Sequence, residues 1–321
     1  MTKVKVGFVG VGGIAATHLK NLSANEAVDI TSVCDIVEAN AVRVGEEHQA
    51  TAYTNAEEML DNEVLDVLFI CVPPFAHGDV EEKAAKKGIH LMVEKPVGLN
   101  VEEAKRKQAV IKQAGIICAT GYCLRYLDTV KRAKEYLADK EIAMVRGHYI
   151  SGFVETPWYR TMSKSGGQLV EQATHIMDMM RHLGGDIDKV YANMALRVSD
   201  EIENIDIPDV TSVNFTFTNG AVGHLDCSIT QTDHRMGVEV LGKNFRVTID
   251  GTGLTILENN EVVSADAEVD FYAEQDQAFI DAIVTGNTDG ILSDYTNGLK
   301  TLAVTLAANE SQDSGNVISL S

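Results

Sequence analysis

"VKVGFVGVGGIA", residues 4–15, is the stretch on which the fold turns. An alternating apolar run reads as a strand, and it passes directly into G-x-G-x-x-A and the start of a helix. Gly10 permits the tight turn, Gly12 lets a pyrophosphate come close to the backbone, and Ala15 is small enough for close helix-to-strand packing. The free N–H groups of that helix start form a site for an anion. An acidic residue is expected at the end of the next strand, and Asp35 stands there in "DITSVCD", residues 29–35. Its carboxylate would accept hydrogen bonds from a ribose 2′-hydroxyl and repel a 2′-phosphate, and its neighbour Ile36 brings no cation to reverse that. The pattern therefore favours NAD over NADP.

Working outward, strands are expected at 66–72, 90–95 and 116–121, with amphipathic segments between them. In "NVEEAKRKQAVIKQAG", Asn100 can cap a helix, Glu102 and Glu103 occupy its first turn, and Gly115 can end it. Strand and helix in this rhythm call for an α/β domain with a parallel sheet covered on both faces. After about Tyr122 the texture changes. A helical "LDTVKRAKEYLADK", a strand near "MVRGHYISGF" and a further helix lead into a period-two pattern from about Val190. Val213, Phe215 and Phe217 alternate with polar residues, Asn219 and Gly220 supply a turn, and Leu225, Cys227 and Ile229 resume the alternation, an antiparallel hairpin. A second hairpin turns at 242–244, Asp250 and Gly251 can start another, and two helical patterns close the chain. The expected division is 1–121 for a dinucleotide-binding domain and 122–321 for an α+β domain, with the last helix or tail free to return to the first.

The bulk composition excludes several classes of partner. The 321 residues suffice for about two domains of ~150 residues. With 47 acidic against 27 basic residues the net charge is −20, which repels nucleic acid and anionic membranes. No export signal is read at the amino terminus, and runs such as "VLFICV" are far shorter than a membrane span needs, about 18 residues. Five cysteines, none in a C-x-x-C pair, read as buried reduced thiols of a cytoplasmic protein.

Two places carry candidate chemistry. "VEKPVG", residues 93–98, puts Lys95 at the carboxyl end of a strand, the edge where open α/β sheets bind ligands. Desolvation beside a cationic nicotinamide would fit that amine for proton transfer near neutral pH. Downstream, "SGGQLVEQATHIMDMMRHLGG", residues 165–185, reads as one glycine-bracketed helix with Glu171, His175, Asp178 and His182 along a face. A metal site, an acid–base pair and a solvated edge all fit that stripe. A single metal ion is poorly served, because His175 and His182 stand two turns, ~10 Å, apart.

Taken together, "GVGGIA", "VPPFAH" ending in His77, "EKP" at Glu94 to Pro96, "GYCLRY" at 121–126 and "GGQLVEQATH" occur in the order and spacing of the Gfo/Idh/MocA oxidoreductases. The resemblance covers essentially the whole chain. It implies an NAD(P)-dependent dehydrogenase acting on CH–OH groups of a sugar, cyclitol, sugar acid or related diol. It also implies an amino-terminal Rossmann domain, and a second domain whose large, mostly antiparallel sheet assembles homodimers or homotetramers. Lys95 matches the family's active-site lysine and His175 its histidine, while Glu171 stands where an aspartate is usual. Gly13, Ile14, Val72, Pro73, His77 and Glu94 then join Gly10, Gly12, Asp35, Ile36 and Lys95 as cofactor contacts. Tyr122, Arg125, Trp158, Tyr159 and Arg160 are the substrate candidates. Asp178 and His182 become structural, with His182 suited to carry charge near a helix carboxyl end. Two other readings remain at this level, a cofactor-binding regulator without turnover and a metal enzyme built on the His175 helix.

Overall fold

The computed structural model describes residues 3–320. It divides into two compact units, one formed by the chain up to Cys123 together with Asp270–Leu299, the other by Leu124–Val269 with the remaining carboxyl-terminal residues.

The first unit alternates strands β1 (Val4–Val9), β2 (Val28–Cys34), β3 (Thr51–Tyr53), β4 (Val67–Ile70), β5 (His90–Val93) and β6 (Cys118–Thr120) with helices α1 (Gly13–Ser23), α2 (Glu38–His48), α3 (Ala56–Asn62), α4 (Val80–Lys86) and α5 (Val101–Ala114). The sheet is parallel in the order β3-β2-β1-β4-β5-β6, the Rossmann arrangement. Its strands are short, and β4 near its centre is apolar and buried at every residue, as a sheet covered on both faces requires. The caps of α5 are those expected: the Asn100 side chain accepts from the Glu103 N–H, and Gly115 ends the helix in the left-handed conformation.

The second unit contains α6 (Asp128–Leu137), β7 (Ile142–Ile150), α7 (Met162–Ser165), α8 (Gln168–Glu171), α9 (Thr174–Gly184), and strands β8 (Ile187–Ala195), β9 (Val210–Phe217), β10 (Val222–Ser228), β11 (Arg235–Gly242), β12 (Phe245–Asp250), β13 (Gly253–Glu258), β14 (Glu261–Ala265) and β15 (Ile318–Ser319). The nine strands form one sheet in which β10 and β7 alone pair parallel. The expected alternation holds: Val213, Phe215, Phe217, Leu225 and Cys227 are buried. Helix α9 lies hard against β7, since a Cβ on Gly147 would stand 2.7 Å from the Met180 sulfur.

Two helices follow, α10 (Phe271–Thr285) and α11 (Tyr295–Ser314). Helix α10 belongs to the first unit, so the second unit is not one continuous stretch of chain. The reason is apolar burial: Phe279 and Ile280 are fully enclosed in the core of the first unit, Phe279 meeting Phe69 edge-on at 5.8 Å. Such a side chain contributes ~1.5–3 kcal/mol when buried. Among the described residues, no helix is long and apolar enough to cross a membrane.

Candidate active site

Gly10 adopts φ +83°, and a Cβ there would fall 2.5 Å from the Cys71 carbonyl, so only glycine lets the chain turn this close to β4. Above the turn the situation reverses. A Cβ at Gly12 or Gly13 would meet nothing within 4 Å, and α1 begins with no side chain capping it. An exposed glycine face in front of uncapped N–H groups is the cradle a pyrophosphate fits. Beside it, the Asp35 carboxylate is fixed by two backbone donors, Val11 N–H at 3.1 Å and Val37 N–H at 2.9 Å. Ile36 is 93% exposed and supplies no cation. Val72 and Pro73 are half-buried just past the end of β4. These residues fit an NAD molecule. His77 sits deeper. It is buried, its Nδ1 lies 2.6 Å from Glu81 Oε1, and Glu81 is in turn 3.2 Å from the ammonium of buried Lys107. Burial alone would raise the Glu81 carboxyl, but His77 and then Lys107 hold it below its ordinary value.

Lys95 follows β5 at the carboxyl edge of the same sheet and is half-buried, joined to Pro96 through a cis peptide bond. Glu94 beside it is almost wholly buried. One oxygen of Glu94 accepts the Lys95 backbone N–H at 3.1 Å, and the other lies 3.1 Å from His18 Nε2. The second ring nitrogen of His18 lies 2.7 Å from Asp276 on α10, and the other Asp276 oxygen accepts from Asn21 at 2.9 Å. Burial pulls the His18 pKa down, yet hydrogen bonds to Asp276 and Glu94, reinforced by their charges, raise it to about 10. His18 is therefore an imidazolium between two carboxylates.

The second unit corrects the expectation of a single helix over 165–185. Helix α8 ends at Glu171 and α9 begins at Thr174. Between them the Ala173 N–H reaches back to the Gln168 carbonyl and the His175 N–H to that of Gln172. The break is held from outside: the Tyr159 hydroxyl donates to Gln172 Oε1 at 2.6 Å, and the Gln168 amide donates to Ser151 and to the Ser228 carbonyl. Glu171 and His175, both half-buried, are thus not neighbours along one continuous helix.

Asp178 on α9 is buried and grips Arg125 through Nε at 2.6 Å and Nη2 at 2.9 Å, while accepting from Thr301 at 2.9 Å. His182 carries no charge near neutral pH, contrary to the expectation for it. Burial, then Arg125 and Lys134, lower its pKa to about 3. Of the substrate candidates, Tyr122 is buried and Arg125 is held by Asp178. Tyr159 is buried as well, in an apolar cluster with Ile207 and Ile229 against which Trp158 packs. Arg160 donates to the Glu155 and Glu203 carbonyls and lies over the Phe153 ring.

Two family models account for most of the chain: an oxidoreductase family with an NAD-binding Rossmann fold matches residues 4–122, and the GFO/IDH/MocA C-terminal domain matches residues 130–256. The chain belongs to the Gfo/Idh/MocA oxidoreductases. It is 28% identical to a scyllo-inositol 2-dehydrogenase (NAD(+)) of Bacillus subtilis, over 75% of this chain and 72% of that one. It is 26% identical to a levoglucosan dehydrogenase of Pseudarthrobacter phenanthrenivorans, over 81% and 75% respectively. Among solved structures, levoglucosan dehydrogenase in complex with NADH and L-sorbose superposes with a TM-score of 0.89 at 19% identity, each chain covered completely. WlbA dehydrogenase of Bordetella pertussis, in complex with NADH and UDP-GlcNAcA, gives 0.87 at 21% identity over 99% of both chains.

This Gfo/Idh/MocA chain is accordingly an NAD(P)-dependent oxidoreductase. No group of three or more His, Cys, Asp or Glu residues among the described ones is placed to hold a metal ion. Sequence reasoning overlooked His18 and Asp276 altogether. No local signal marks them, because their partners lie 76 and 258 residues from His18 along the chain.

Proposed function

We propose that this protein is an NAD-dependent dehydrogenase that oxidises a secondary alcohol of a sugar, cyclitol, sugar acid or related diol to the ketone. The observation that carries the reading is Lys95 at the carboxyl edge of the six-stranded sheet, the edge that also bears the exposed glycine cradle and Asp35. The activities of the inositol and levoglucosan relatives support the polyol class.

NAD, when bound, accepts the hydride from the alcohol carbon. Gly10, Gly12, Gly13 and Ile14 hold its pyrophosphate, Asp35 accepts from the ribose 2′-hydroxyl, and Ile36, Val72 and Pro73 line the site. Asp35 and the absence of a cation at Ile36 support NAD over NADP. His175, Lys95 or the two together take the hydroxyl proton, and the Lys95 ammonium stabilises charge developing on the oxygen. Glu171 tunes these groups. Trp158, with an indole that is half-buried, is the substrate-facing candidate whose ring suits a sugar face. The chain is further inferred to assemble as a dimer or tetramer through the nine-stranded sheet, and its five buried free cysteines suit the reducing cytoplasm.

The test is NADH absorbance with a panel of inositols, sugars, sugar acids and diols, preceded by a thermal-shift screen with NAD present. Lys95→Met and His175→Asn should each lower turnover on any active alcohol by at least ~10²-fold. A panel with no NADH production, or a Lys95→Met protein as fast as wild type, defeats the proposal.

A further inference from the structure

We propose that His18 is a positioning residue for Lys95, gripping the Glu94 carboxylate between α1 and α10 so that the backbone bearing Lys95 is fixed. The inference rests on Lys95 being the active-site lysine. Its geometry is a chain of buried contacts. Asp276 anchors one ring nitrogen of His18 at 2.7 Å, Glu94 takes the other at 3.1 Å, and the far oxygen of Glu94 accepts the Lys95 N–H at 3.1 Å. His18 and Asp276 are both essentially inaccessible, so water cannot substitute for either partner.

The groups around the imidazole leave it one function. Phe69 of β4 lies 5.2 Å from the ring and Tyr272 of α10 meets it edge-on at 6.3 Å, so the two carboxylates, Asp276 and Glu94, are what gives it a fixed orientation. A clamp for α10 alone would need only Asp276. The second carboxylate adds the residue next to Lys95, and the space it fills is kept for it. A Cβ on Gly121 would stand 2.4 Å from Glu94 Oε1, so the glycine of "GYCLRY" keeps room for that carboxylate. The charge also has a direct consequence. As an imidazolium, His18 offsets the negative charge of Glu94, and Lys95 sits beside a compensated carboxylate instead of a bare one.

The experiment follows the Lys95 amine itself. The full-length protein, saturated with NAD, is reductively methylated with ¹³C-formaldehyde, and the Lys95 resonance, identified by its loss in Lys95→Arg, is titrated with pH. In His18→Gln the midpoint is expected to move up by about one pH unit, because the uncompensated Glu94 favours the ammonium. Glu94→Gln, which removes that carboxylate's charge while His18 keeps Asp276, should move it down. A folded variant of either kind whose Lys95 titration superimposes on wild type overturns the proposal. So does the failure of both variants to fold, which would make the triad a structural clamp. If instead Lys95→Arg oxidises the alcohol panel as fast as wild type, the functional reading fails, and a Lys95 shift in His18→Gln still establishes the coupling.

Discussion

Replacing Asp178 with alanine should be among the most destabilising single changes in the second unit. The carboxylate is 2% exposed and accepts hydrogen bonds from Arg125 at 2.6 and 2.9 Å and from the Thr301 hydroxyl at 2.9 Å. Arg125 is itself only 8% exposed. Removing the carboxylate leaves a buried guanidinium deprived of its counter-ion, a change that costs ~3–5 kcal/mol. Arg125→Met should cost less, because Asp178 keeps the Thr301 hydroxyl and has the buried Arg181 guanidinium 3.8 Å away. The double variant, which removes both charges, should be less damaging than the sum of the two, with a coupling of ~2 kcal/mol or more. Urea unfolding followed by tryptophan fluorescence is suited to the measurement, because the only tryptophan, Trp158, belongs to the same unit. A cost below ~1 kcal/mol for Asp178→Ala, or strict additivity in the double variant, would refute the claim that this pair is an enclosed structural bond.

Two further predictions concern charge. Asp35→Ala should weaken NAD binding and narrow the preference over NADP, read as the ratio of the two dissociation constants, whereas an unchanged ratio would remove Asp35 from cofactor selection. Asp209 is buried and accepts from the backbone N–H groups of Arg197, Val198 and Ser199 at 2.9, 2.7 and 2.9 Å. Burial alone would raise its carboxyl pKa, but these backbone donors hold it below the ordinary value. A depressed folded pKa stabilises above the unfolded value and the benefit is lost as pH falls through the folded one. Asp209→Asn should therefore be less stable than wild type at pH 7, and the gap should shrink in acid, as thermal unfolding between pH 7 and pH 3 would read; a gap independent of pH would contradict it.

What could be read along the chain alone is what short-range physics controls. The glycine turn after β1, the caps at Asn100 and Gly115, and the period-two hairpin around Asn219 and Gly220 are each specified by residues within a few positions of one another. They were enough for the parallel sheet, the change to antiparallel strands and the location of Lys95. Helical spacing also promised one stripe of four polar residues over 165–185. Tertiary contacts broke it, since Tyr159 takes Gln172 and Arg125 takes Asp178, and burial among cations discharged His182. The return of α10 to the first unit and the His18 triad likewise required the folded chain. Hydrogen-bond partners separated by tens or hundreds of residues leave no periodicity in sequence; they meet because the sheet order and the burial of Phe279 bring their helices together, and the cost of burying a charge then dictates that they pair.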